Sequence, residues 1–158
     1  LLDWVADGNT LIQMTRGQTP VMTELGILPP PLAATSDFDH ELQQSIEAHQ
    51  RRGDQPDDRP GTDWELRWIE EGQSLTMHLR EPRTFSVEEA TPWTPTLLRG
   101  DRAYGGVLQH GDGRVVLVGA PTPALNHHLR DRDHLAWWLD QLGDGPVIFD
   151  EWAHGVGH

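Results

Sequence analysis

The 158-residue chain carries a formal net charge of −13, with 25 acidic and 12 basic residues, and its length suits one domain with a real core. The acidic balance argues against nucleic acids and anionic membrane surfaces as partners, whereas cations are compatible with it. The sequence contains neither cysteine nor lysine, which excludes thiol nucleophiles, thiolate metal sites, disulfides and Schiff-base chemistry.

Two short helices with a strand between them are predicted in the first part of the chain. Leu1–Asp7 has helical apolar spacing, and Gly8 supplies the left-handed residue that ends the helix. A strand follows over Thr10–Met14. Thr19 is a good N-cap and Pro20 suits the first position of the second helix.

Residues 30–103 are predicted to form an antiparallel insertion in a single domain that spans residues 1–158. A surface helix is expected over Asp37–Gln50, where the apolar stripe is thin. Apolar residues then alternate with polar ones between Trp64 and Leu79, on both sides of a Gly-containing turn, which predicts a hairpin with one wet face. Short extended segments follow at 84–87 and 94–98.

The last third of the chain determines the predicted fold class. Tyr104–His110 is expected to pair as a hairpin with the next strand, Val115–Val118. A helical pattern over Ala124–Leu142 and a strand at Val147–Phe149 follow. Both apolar runs lack polar alternation, as in parallel strands covered on both faces, and the connection is long enough for a crossover helix. The pattern predicts an α/β fold: an incomplete flavodoxin- or amidotransferase-like three-layer sandwich.

Polar side chains gather where such a crossover would begin. Parallel strands joined by a right-handed crossover end at the same sheet edge, where open α/β sheets bind ligands. We expect these residues to form a hydrogen-bonded cluster that is structural or ligand-binding, with Asp150 as its most buried member: Asn126, His127, His128, Asp133, Asp150, Glu151, His154 and Gly155.

A metal site is a more specific hypothesis for the same sheet edge than a general ligand-binding cluster. His127, Asp131 and His134 share a helical face at i, i+4 and i+7, and His154 would arrive from the following strand. Imidazole and carboxylate ligands suit zinc or manganese. However, a helix rises 1.5 Å per residue, so His127 and His134 would lie about 10 Å apart along its axis and could not both reach one ion unaided. The alternative is a solvated helix face.

Three parts of the chain carry a resemblance to a known family. They are residues 1–12 (LLDWVADGNTLI), residues 113–119 (GRVVLVG) with Asn126 and Asp133 downstream, and residues 149–155 (FDEWAHG). Together they resemble the bacterial domain-of-unknown-function family 4350. The resemblance implies a membrane-anchored protein whose soluble domain has a class I glutamine-amidotransferase-like fold. It also implies that strands precede Leu1, which would leave an open sheet edge for association.

The favoured function is a non-catalytic binding or interaction domain. The amidotransferase fold normally uses a cysteine, which this chain lacks, and none of its serines lies in a Gly-x-Ser-x-Gly elbow. No catalytic residue and no cofactor is assigned. The expected partner is a protein or a small ligand. We expect the domain to be extracytoplasmic, with any membrane contact made by segments outside this chain. The alternative is a metal-dependent hydrolase that uses the histidine and carboxylate edge.

Overall fold

One curled, mixed sheet of six strands dominates the structure, a computed structural model that describes residues 1–28 and 63–142. In chain order its helices and strands are α1 (Leu2–Ala6), β1 (Thr10–Met14), α2 (Pro20–Glu24), β2 (Ile27–Leu28), β3 (Asp63–Glu70), β4 (Gln73–Arg80), β5 (Ser86–Val87), β6 (Trp93–Arg99), β7 (Arg102–His110), β8 (Gly113–Val118) and α3 (His134–Leu142). Two 3-10 turns, Thr122–Ala124 and Asn126–His128, precede α3.

The strand order of the sheet is β1-β8-β7-β6-β3-β4, and β2 and β5 form a separate two-stranded sheet. Only β1 and β8 pair in parallel; the other neighbours in the large sheet are antiparallel. Glu71 and Gly72 join β3 to β4 with φ angles of 49° and 84°. Positive φ at both central residues is the turn geometry that matches the twist of a two-residue hairpin.

Strand β8 is buried on both faces, because a separate core lies on each side of it. Val116 and Val118 belong to a core that also contains Trp68 of β3 and Trp137 of α3. Val115 and Leu117 face a second core that α1, α2 and β2 cover. The close approach of α1 depends on a glycine: a Cβ at Gly113 would lie 1.9 Å from the carbonyl oxygen of Val5.

The predicted α/β sandwich is wrong, because the structure is mostly β and its sheet curls into a half-barrel. The run Val115–Val118 is buried on both faces as expected, but the curled sheet and α3 cover one of those faces. Two-sided burial therefore does not identify a helix-flanked parallel sheet. The predicted long helix over Ala124–Leu142 is also wrong in length, since only His134–Leu142 is α-helical.

Several local predictions are confirmed. β1 has the predicted bounds, and both predicted hairpins form. Thr19 caps α2 by accepting a hydrogen bond from the Met22 amide at 3.2 Å. The strands expected in an insertion, β3, β4 and β6, belong to the same sheet as β1; the division into domain and insertion stays a prediction. The helix predicted over 37–50 and the strand over 147–149 lie outside the described residues.

The free edge of β4 is capped by side chains from the segment 122–134. The Thr76 amide donates to Asp133 Oδ2 at 2.8 Å, and the Asp133 amide returns a bond to the Thr76 carbonyl at 3.1 Å. The His78 amide donates to His134 Nε2 at 2.9 Å, and the Arg80 amide to Thr122 Oγ1 at 2.9 Å. Alternate amides of an edge strand point away from the sheet, and here three in succession are satisfied.

His134 lies fully buried between two backbone groups, which fixes its protonation state. Nε2 accepts the His78 amide, so Nδ1 carries the proton and donates to the His128 carbonyl at 2.8 Å. Burial lowers the pKa of His134 below its ordinary 6.5, although the hydrogen bonds to His128 and His78 oppose the shift. The neutral imidazole is therefore the form that the fold requires.

Replacing His134 with alanine should destabilise the domain strongly. The substitution leaves the His78 amide and the His128 carbonyl without partners and opens a cavity, and we expect a loss of about 2–4 kcal/mol in the free energy of unfolding. Urea denaturation measures it. Leu139 on the same helix is 67% exposed, so Leu139→Ala is the matched control and should change stability by less than about 0.5 kcal/mol. Equal effects of the two variants would refute the capping role of His134.

The stability of the domain should also fall as the pH drops below about 6.5. The unfolded chain protonates His134 near its ordinary pKa, whereas burial lowers the pKa in the folded state, so the unfolded state binds more protons below that pH. This contribution is complete above pH 6.5 and is lost as the pH falls toward the folded pKa. Urea midpoints between pH 7.5 and 5.5 measure the slope. A slope that persists unchanged in His134→Ala would contradict the assignment.

Candidate metal centre

Two histidines and one carboxylate converge where the segment 122–134 meets β4. His78 comes from β4, His128 from the second 3-10 turn and Asp131 from the turn before α3, and one ligand atom from each lies within 4.8 Å of the others. Asp131 Oδ2 is 2.5 Å from His128 Nδ1 and 3.4 Å from His78 Nδ1. Both histidine side chains are 19% exposed and that of Asp131 is 39% exposed. The three groups therefore line one partly shielded spot with an opening to solvent.

The contacts that cap β4 also bring these three residues together. Met77 and Leu79 belong to the core, so strand alternation turns His78 to the opposite face of β4. The bonds of Asp133 to Thr76 hold the 126–134 segment along this edge. A tight turn, in which the Asp131 amide donates to the His128 carbonyl at 2.9 Å, then places both side chains beside His78.

Asp131 is the electrostatic centre of the trio. Its pKa is lowered below the ordinary value, chiefly by the hydrogen bond with His128, with smaller contributions from the charge of His128 and from His78, while desolvation opposes the shift. The carboxylate is thus ionised over the physiological range and faces a nitrogen of each ring. Two imidazoles and one carboxylate form a ligand set of the kind that zinc and similar transition-metal ions bind. Calcium and magnesium prefer all-oxygen ligand sets.

Asp63 stands on the far side of the His78 ring. Its Oδ1 is 3.6 Å from His78 Nε2, while Nδ1 of the same ring faces Asp131. A carboxylate behind a metal-binding histidine favours the tautomer that leaves the other nitrogen free to coordinate. Asp63 is therefore placed to orient His78 without being a ligand itself.

The residues predicted from the sequence fall into different places. His128 and Asp131 belong to the trio, whereas His134 and Asp133 bond to the backbone of β4. Asn126 and His127 are exposed, and the His127 ring lies 4.1 Å from that of His128. The remaining predicted members lie outside the described residues: Asp150, Glu151, His154 and Gly155.

Sequence reasoning missed His78 and Asp63. Both lie on the hairpin β3–β4. His78 was counted only as a polar position in the alternating pattern, and Asp63 precedes that pattern. The signal available in the sequence was a histidine on the wet face of a strand, with an aspartate at the far end of the hairpin partner. What the sequence could not supply was the contact between that strand and the 126–134 segment.

Comparison with known proteins identifies the family of the chain. No curated protein and no solved structure matches the chain. None of the helices in residues 1–28 and 63–142 is long and apolar enough to cross a membrane. The sequence model of the domain of unknown function DUF4350 matches residues 1–142, which contain all of the described strands and the three residues of the candidate centre. The resemblance seen in the sequence is confirmed at this level, and the chain belongs to the DUF4350 family.

Proposed function

We propose that the domain is a non-catalytic binding module that holds a divalent transition-metal ion, zinc above all, at His78, His128 and Asp131. The observation that carries the proposal is the convergence of three ligand atoms within 4.8 Å, from two segments far apart in the sequence. Each of these segments is held by backbone hydrogen bonds independently of an ion. A site preorganised in this way loses little conformational entropy when an ion binds.

Charge supports a cation as the ligand. The chain has a formal net charge of −13, which favours the approach of cations over long distances. At the centre itself, Asp131 neutralises part of the ionic charge, and the two imidazoles bind in their neutral form. Since histidine must be deprotonated to coordinate, protons compete with the metal ion for these ligands.

The alternative function, a metal-dependent hydrolase, has one observation in its favour. Three protein ligands leave a coordination position for water, as in catalytic zinc sites. Hydrolysis also needs a base that faces this water. Among the carboxylates that the structure describes at the centre, Asp131 is a ligand and Asp63 lies behind His78. We therefore favour a binding role, in which the ion ties β4 to the 126–134 segment.

The cellular setting is a further part of the proposal. On the resemblance to the family, we propose that the domain is the extracytoplasmic part of a membrane-anchored protein whose partner is a protein or a small ligand. Reporter fusions to the full-length protein would test the location.

Within the described ranges, β1 has no strand on its outer side, and we propose it as an edge for association. A monomer at all concentrations in analytical ultracentrifugation would contradict this.

Removing a ligand should abolish tight zinc binding. We expect the tag-free protein to bind one zinc ion in isothermal titration calorimetry. His128→Ala or His78→Ala should weaken binding by about 100-fold or more, since losing a ligand costs more than the roughly 10–100-fold loss of an outer-shell partner. His127→Ala is the matched control, because His127 adjoins the centre but lies outside the trio. The proposal fails if no zinc binds, or if His127→Ala weakens binding as much as His128→Ala.

Asp63→Asn should weaken zinc binding by a smaller factor than the loss of a ligand does. The amide still occupies the space beside His78 but loses the charge that favours the Nε2–H tautomer, and we expect a loss of about 10-fold. Competition with a chromophoric chelator measures it. Asp112→Asn, in the turn between β7 and β8, is the control and should leave the affinity unchanged. An unaltered zinc affinity in Asp63→Asn would show that Asp63 does not support the centre.

A further inference from the structure

A groove of about 530 Å³ lies where β3 and β6 meet, and its lining includes Ile69, Pro95 and Leu98. The two strands share a single residue pair, Trp68 with Leu97, and the register of β6 shifts on both sides of it. The irregular pairing of β3 and β6 opens the groove. Its size is that of a small-molecule site.

The floor of the groove is aliphatic and exposed. Ile69 is 58% exposed and Leu98 is 46% exposed. Among the described residues, no aromatic side chain lines the groove, so this surface offers an alkyl chain apolar contact but no ring to stack on.

The rim of the groove is positive, in a chain whose net charge is strongly negative. Arg67 and Arg99 line it. Within residues 1–28 and 63–142, Arg67 makes no ion pair, and Arg99 lies over the ring of Trp64 at 4.2 Å without a carboxylate partner. Glu65 also lines the groove, but Arg132 holds its carboxylate by two hydrogen bonds. The groove therefore carries two arginine charges that no acidic side chain in the described ranges neutralises.

Thr96 supplies one more polar group. It lines the groove, is 3% exposed, and its hydroxyl has no hydrogen-bond partner among the described residues. An unpaired buried hydroxyl is unfavourable, and a ligand oxygen that reached it would satisfy it.

We propose that this groove binds a free amphiphilic anion, an aliphatic carboxylate whose alkyl chain covers Ile69 and Leu98 and whose head group pairs with Arg67 and Arg99. Guanidinium groups match carboxylates in geometry and charge. A second copy of the chain is a poor occupant, because a twofold contact would bring two copies of this positively charged patch together. An extended peptide cannot add a strand here, since β3 and β6 are interior strands of the sheet. The groove shares no lining residue with the metal centre.

Titration with decanoate below its micelle concentration tests the proposal. Binding is monitored by amide chemical shifts in the presence of excess EDTA. We expect saturable shifts centred on β3 and β6, and at least tenfold weaker binding of acetate, which lacks the chain, and of decyltrimethylammonium, which reverses the charge. Arg67→Gln and Ile69→Ser, both at exposed positions, should each weaken decanoate binding several-fold. Arg102→Gln, an exposed arginine at the start of β7, is the control and should leave it unchanged.

Three outcomes would overturn the proposal. Equal binding of decanoate and decyltrimethylammonium would mean that the groove is only an apolar patch. Unchanged decanoate affinity in both Arg67→Gln and Ile69→Ser would place the ligand elsewhere. Binding to phosphatidylglycerol vesicles without binding to free decanoate would identify a membrane surface as the occupant. Because EDTA removes zinc throughout, none of these results depends on bound zinc.

Discussion

The outward-facing amides of β4 impose the constraint on which much of this structure depends. An edge strand must have its backbone donors satisfied by water or by protein, and an uncovered edge invites pairing with other chains. Here Thr76, His78 and Arg80 donate to Asp133, His134 and Thr122. These bonds fix the path of the chain after β8 and explain why it runs along β4 through short turns. They also place Trp137 over Trp68, at a distance of 5.3 Å between the ring centroids. Helix α3 therefore covers the core that the curled sheet encloses.

The candidate metal centre is a consequence of the same contacts. His128 and Asp131 lie in the segment that Asp133 and His134 attach to the sheet, and His78 lies on the attached strand. The supporting bonds run between backbone and side chains outside the trio, so the ligands are positioned without an ion having to assemble them. His134 takes no part in coordination in this arrangement, since both ring nitrogens are engaged by the backbone. The groove at β3 and β6 depends instead on a break in strand pairing, and it shares no lining residue with the metal centre.

The sequence predicted local elements well and their assembly poorly. β1 and the two hairpins follow from apolar alternation and turn glycines, and the α2 cap follows from Thr19. The predicted fold class is wrong because burial on both faces does not distinguish the two folds. The run Val115–Val118 is buried on both faces in this curled sheet, as it would be in a parallel sandwich. His128 and Asp131 were recognised as candidate polar residues, but His78 was not. Its role depends on β4 being an edge strand and on which segment covers that edge, and neither is encoded in local spacing.

Amide hydrogen exchange at Thr76, His78 and Arg80 tests the central claim most directly. If the segment 122–134 caps the edge, these three amides exchange far more slowly than exposed turn amides, because they are released only by detachment of the segment or by global unfolding. His134→Ala should then accelerate exchange at His78 most of all. Exchange of all three amides at the rate of exposed turn amides, such as that of Asp101, would show that the edge is open and would contradict the account.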